Sequence, residues 1–114
     1  MEQYEAAILD FTKSIELYPN AADSYNNRGS SYGKMERYKD AILDFTKAIE
    51  LEPNEAHSYN NRGRAYGSIE QYEVAIADFT KAIELEPNEA DYYVLRGISY
   101  SKMEKYEVAI ADCT

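Results

Sequence analysis

The sequence predicts an all-α chain made of stacked antiparallel helix hairpins that repeat every 34 residues. Three observations predict it. First, the tripeptides Leu17-Tyr18-Pro19, Leu51-Glu52-Pro53 and Leu85-Glu86-Pro87 recur at that period. Second, Tyr4, Tyr38, Tyr72 and Tyr106 keep the same spacing, as do Gly29, Gly63 and Gly97 and Tyr25, Tyr59 and Tyr93. Third, the segment from Asp44 to Ala56 is identical to that from Asp78 to Ala90. Chance does not give such agreement.

Each element follows from its pattern. The first helix, Tyr4 to Leu17, corresponds to the second helix of a hairpin and has no first helix before it. From Tyr38 to Glu52, the residues Tyr38, Ala41, Ile42, Phe45, Ala48 and Ile49 form one apolar stripe at three- and four-residue steps. Pro53 ends that helix, because it has no amide hydrogen and its ring clashes with the preceding turn. Asn54 then stands where a side chain can cap the next helix. Asn20 with Asp23, and Asn88 with Asp91, resemble capping boxes. Tyr59, Gly63, Tyr66 and Ile69 form the stripe of a helix from Glu55 to Ile69. A helix of about fifteen residues is roughly 22 Å long. Gly63 is expected to face Ala75 so that two backbones approach, with Phe79 filling the gap beside Tyr66. A hairpin leaves half its apolar stripe uncovered, and the next hairpin covers it. The expected organisation is a single array over 1–114: a leading second helix (1–19), full repeats 20–53 and 54–87, and a truncated repeat 88–114. It has about seven helices, and it starts and ends within second helices.

Composition narrows the function. The 114 residues suit one domain. Twelve Lys and Arg against 21 Asp and Glu give a net charge of −9, which repels phosphate backbones and anionic lipid. Nucleic acid and membranes are therefore not expected partners. The tyrosines fall at helical spacing, as core residues do, rather than forming a base-stacking platform. No apolar run approaches the ~20 residues of a bilayer span. The single cysteine, Cys113, cannot form an internal disulfide, so a reducing cytoplasmic setting is expected. No catalytic, metal or cofactor constellation is visible. His57 has no histidine partner at helical spacing, and Cys113 takes the column of Phe11, Phe45 and Phe79 as a small core residue. The acidic residues are scattered and are expected mostly to face solvent. The chain is read as a non-enzyme that needs no cofactor.

These residues resemble the tetratricopeptide repeat family. One unit supplies Tyr59, Arg62-Gly63, Tyr66, Ala75, Phe79, Ala82 and Pro87. Another supplies Tyr25, Arg28-Gly29, Tyr32, Ala41, Phe45, Ala48 and Pro53. The resemblance covers essentially the whole chain. It implies a right-handed superhelical solenoid that acts as a protein–protein interaction scaffold. Two departures stand out. Arg28, Arg62 and Arg96 replace the usual leucine, where an arginine can bury its stem and keep its head wet. Glu36, Glu70 and Glu104 replace the inter-helix glycine, where a left-handed conformation costs a non-glycine residue ~1 kcal/mol or more.

The resemblance also implies that first helices line the binding groove. The candidate peptide-contacting residues are then Asn26, Asn27, Ser30, His57, Asn60, Asn61, Arg64, Val94, Leu95 and Ile98. Asn27 and Asn61 match the column that holds an extended peptide backbone in related proteins, since an asparagine both donates and accepts. A sub-family binds acidic chaperone tails through a two-carboxylate clamp. Here Ser30 replaces the clamp asparagine, Asn26 and Asp91 its lysines, and Leu95 its arginine, so that ligand is excluded. The alternative reading is a structural segment of a longer solenoid or a self-associating module. Its candidate surfaces are Ala7, Phe11 and Ser14 at one end and Val94, Leu95 and Ile98 at the other, where unlike apolar faces would join head to tail.

Overall fold

The computed structural model describes residues 2–103. The expected seventh helix, Glu104 and Cys113 lie outside the described residues. The six helices among them are α1 (Glu2–Leu17), α2 (Ala22–Lys34), α3 (Tyr38–Leu51), α4 (Ala56–Ser68), α5 (Tyr72–Leu85) and α6 (Ala90–Lys102). The fold is all-α and repeats as the sequence predicts. The chain falls into two compact units, 1–54 and 55–114. In the first, α2 packs on both α1 and α3; in the second, α5 packs on both α4 and α6, and α4 also touches α6.

The repeat columns make the core. In the first unit Ala41 and Ala48 are fully buried and Phe45 is 4% exposed; in the second, Ala75, Ala82 and Phe79 repeat this. Small residues let the helices approach, and the ring fills what remains. A Cβ added at Gly29 would lie 2.7 Å from the Phe45 ring, and one at Gly63 would lie 2.8 Å from Phe79. At Gly63 the missing side chain makes room for the Phe79 ring. Periodicity gives the stripe, but it does not give which member of the stripe is opposite.

The first helices start one residue later than a capping asparagine would require. The N-cap positions are Ala21, Glu55 and Glu89, and none makes a side-chain cap hydrogen bond. Asn20, Asn54 and Asn88 instead fall before the cap, just after the prolines. Tyrosine hydroxyls brace two of these turns: Tyr25 donates to the Pro19 carbonyl at 3.4 Å and Tyr93 to that of Pro87 at 2.9 Å.

The hairpin turns confirm the second departure. Glu36 and Glu70 are left-handed, with φ of 61° and 63°. The Glu70 amide donates to Gly67 O at 3.0 Å and that of Gln71 to Tyr66 O at 2.9 Å. This pair of bonds is the Schellman closure, which usually has glycine at its left-handed position. Glu70→Gly should relieve ~1 kcal/mol of strain, partly offset by the added freedom of the unfolded chain. The urea midpoint should therefore rise slightly or hold, and a clear fall would show that Glu70 makes a compensating contact.

Candidate functional site

The first helices are the least apolar, and their ends and faces differ. The segment α4 reads AHSYNNRGRAYGS and has no carboxylate at all, in a chain of net charge −9. In the second unit, residues 34 apart take equivalent places on the touching helices α4 and α6: His57 and Asp91, Asn60 and Val94, Asn61 and Leu95, Arg64 and Ile98. Arg64 is exposed, as are Val94 at 43% and Ile98 at 46%, while Asn60, Asn61 and Leu95 are half-buried. His57 is exposed, with Nδ1 3.7 Å from Glu55 Oε2. In the first unit, Asn27 and Ser30 are exposed on α2.

Three expected surface residues are placed otherwise. Asn26 is only 6% exposed, so its side chain is not offered to a ligand. The Asn60 Oδ1 is sealed from solvent and accepts no hydrogen bond among the described residues. Its acceptor therefore cannot serve a peptide as it stands. Ser14 does not lie on an uncovered stripe: its Oγ is 2.7 Å from Ser24 Oγ on α2, which places it in the α1–α2 contact. Ala7 and Phe11 are half-buried.

The main feature that sequence reasoning missed is ionic. Arg28 Nε and Nη2 each donate at 2.8 Å to the two oxygens of Asp44, and Nη1 donates at 3.2 Å to Thr12 Oγ1. Arg62 repeats the fork on Asp78 at 2.9 and 2.8 Å. The two aspartates are about 5% exposed, exceptions among acidic residues that mostly face solvent as expected. The arginine side chains, 19% and 20% exposed, also lie beside tyrosine rings. Arg28 lies 5.8 Å from the Tyr25 ring centre and 6.0 Å from that of Tyr32, and Arg62 lies 6.0 and 5.9 Å from those of Tyr59 and Tyr66. The aspartate hydrogen bonds raise both guanidiniums further above their ordinary range, against the opposing effect of burial. The signal was present in the sequence: the Arg28, Arg62 and Arg96 column is followed, sixteen residues on, by Asp44, Asp78 and Asp112. Asp112 lies outside the described residues, but Arg96 Nη1 donates at 3.2 Å to Thr80, matching Arg28 on Thr12.

Among the described residues no three His, Cys, Asp or Glu side chains gather to hold a metal ion. A depression of about 440 Å³ is lined, among the described residues, by Glu70, Gln71, Tyr72, Glu73, Val74 and Met103. Burial and the neighbouring Glu86 push the Tyr92 phenol up to about 12; it donates to Glu86 Oε1 at 3.2 Å and stays protonated near neutrality. No helix among the described residues is long and apolar enough to cross a membrane.

Two tetratricopeptide repeat profiles match the chain, over residues 22–55 and 56–89. No curated protein sequence matches it. Among solved structures, a crystal structure of MamA is 28% identical with a TM-score of 0.92, over 96% of this chain and 64% of that one. MamA from Desulfovibrio magneticus RS-1, residue 41 to its end, is 27% identical with a TM-score of 0.92, over 97% and 63%. The chain thus spans less than two thirds of either structure. A third MamA structure, 22% identical with a TM-score of 0.86, shows the fold alone.

Proposed function

The chain belongs to the tetratricopeptide repeat family, a scaffold for protein–protein interaction, and from that premise we propose that each of its units presents a first-helix face to an extended partner peptide. One observation carries the proposal. The first helices turn Gly29, Gly63 and Gly97 into the core, yet leave Asn27, Ser30, Arg64, Val94 and Ile98 exposed. Asparagine can pair with a peptide unit in both directions. The two-carboxylate clamp is not part of the proposal, because Asn26, Asp91 and Leu95 lack its cationic donors and Ser30 replaces its asparagine. Nor is catalysis, since repeats of this family are typically scaffolds with no chemistry of their own.

The test is Asn27→Ala with Asn61→Ala. Binding of a peptide that the unaltered chain holds should fall below detection, with helix signal and melting unchanged. Lost binding together with lost helix signal would mean that these side chains hold the fold instead. A second reading, a self-associating or purely structural segment, is favoured by Leu9 and Leu43, which are 71% and 69% exposed on α1 and α3 of the first unit. A strictly monomeric mass by light scattering across a concentration series would exclude self-association.

A further inference from the structure

The first-helix face of the second unit is chemically polarised. Its arginines are used differently. Arg62 is forked onto Asp78, and Arg96 donates to Thr80 and lies 5.8 Å from the Tyr93 ring. Arg64 is exposed, and its guanidinium meets no carboxylate, hydroxyl or ring among the described residues. It stands so in a chain with 21 carboxylates. One turn past Ile98, Lys102 is also exposed, with no ion partner among the described residues. At the opposite end of α6 stand Glu89 and Asp91, both exposed. Between these ends lies an aliphatic strip, Val94, Leu95 and Ile98, where the preceding repeat has Asn60, Asn61 and Arg64.

A surface of this order selects its ligand. An aliphatic side chain gains by covering the strip, because it removes apolar area from water. A carboxylate is attracted at the Arg64 and Lys102 end and repelled at the Glu89 and Asp91 end, so the charge fixes both partner and direction. We propose that the second unit recognises an extended protein segment pairing an aliphatic residue, seated on Val94, Leu95 and Ile98, with an acidic residue that meets Arg64. Arginine suits the task, since its planar fork binds a carboxylate through two hydrogen bonds. This inference rests on the peptide-binding reading given above and names the peptide's chemistry.

Random dodecapeptides displayed on phage and selected against the full chain supply the probe. Enriched sequences are then titrated by fluorescence anisotropy against the unaltered chain, Arg64→Glu, Ile98→Asn, and the Asn27→Ala, Asn61→Ala pair. Circular dichroism confirms that each variant keeps its helix content. The expected result is enrichment of aliphatic–acidic pairs, with affinity falling about tenfold or more in Arg64→Glu and several-fold in Ile98→Asn. Exchanging the peptide's acid for lysine should restore binding to Arg64→Glu. Binders without an acidic preference, or unaffected by Arg64→Glu yet lost in the asparagine pair, would overturn the inference and leave peptide binding standing. No enrichment, or binders indifferent to every substitution, would overturn both.

Discussion

Arg62→Ala is expected to destabilise the chain by about 3 kcal/mol, near the lower end of what removing one partner of a buried ion pair costs. The cause is the group left behind. The Asp78 side chain is 7% exposed and has both oxygens bonded to Arg62. Without the guanidinium, its carboxylate stays out of water with those bonds unmade. The lower end applies because the Arg62 side chain is 20% exposed, so water can reach part of the vacated space. The pair need not itself be stabilising. Arg62→Leu with Asp78→Leu replaces both charges by apolar groups, and such exchanges are often neutral or favourable. The double variant should therefore unfold at a urea concentration close to that of the parent, although Arg62→Ala alone falls well short. A loss below about 1 kcal/mol in Arg62→Ala would show that the pair behaves as an exposed one.

Phe45→Ala is expected to cost about 3–5 kcal/mol, the usual range for truncating a buried aromatic. Phe45 is 4% exposed, between the fully buried Ala41 and Ala48 on its own helix and against Gly29 on α2. Alanines and glycine cannot collapse into the space the ring leaves. A coupled variant makes the test sharper. Gly29→Ala in the parent drives a methyl to 2.7 Å from an enclosed ring. Overpacking of that kind costs about 1–3 kcal/mol, which exceeds the ~1 kcal/mol that alanine gains over glycine in a helix. In the Phe45→Ala background the same methyl enters the cavity, so Gly29→Ala should become stabilising. Denaturant titration of the four proteins measures this coupling directly. An unchanged sign for Gly29→Ala would mean that α2 and α3 shift apart rather than hold the ring between them.

The candidate site was legible in its outline but not in its detail. The repeat shows which residues share a column, so Arg64 with Ile98 and Asn61 with Leu95 could be paired on sight. It does not show how far a side chain is turned inward. Asn26 and Asn27 are neighbours of the same type, yet the first is buried and the second exposed. Ser14 looked like the edge of an uncovered stripe, but a hydroxyl on the next helix meets it. The left-handed glutamates were foreseeable from the missing glycine. The aspartates behind Arg28 and Arg62 were visible only to a reader who set two columns side by side.

The sequence by itself determined the fold class, because a 34-residue period with proline at each hairpin's end and two apolar stripes allows few other solutions. It determined the hairpin boundaries to within a residue or two. Only the tertiary structure decided that glycine faces phenylalanine, that Arg28 and Arg62 are clamped to buried aspartates, and that Arg64 alone of its helix's two arginines is left open. The physical reason is common to all three. Helical periodicity gives a residue's direction to within about a quarter turn, whereas a ring contact, a forked ion pair and an unanswered charge each depend on ångströms supplied by the neighbouring helix.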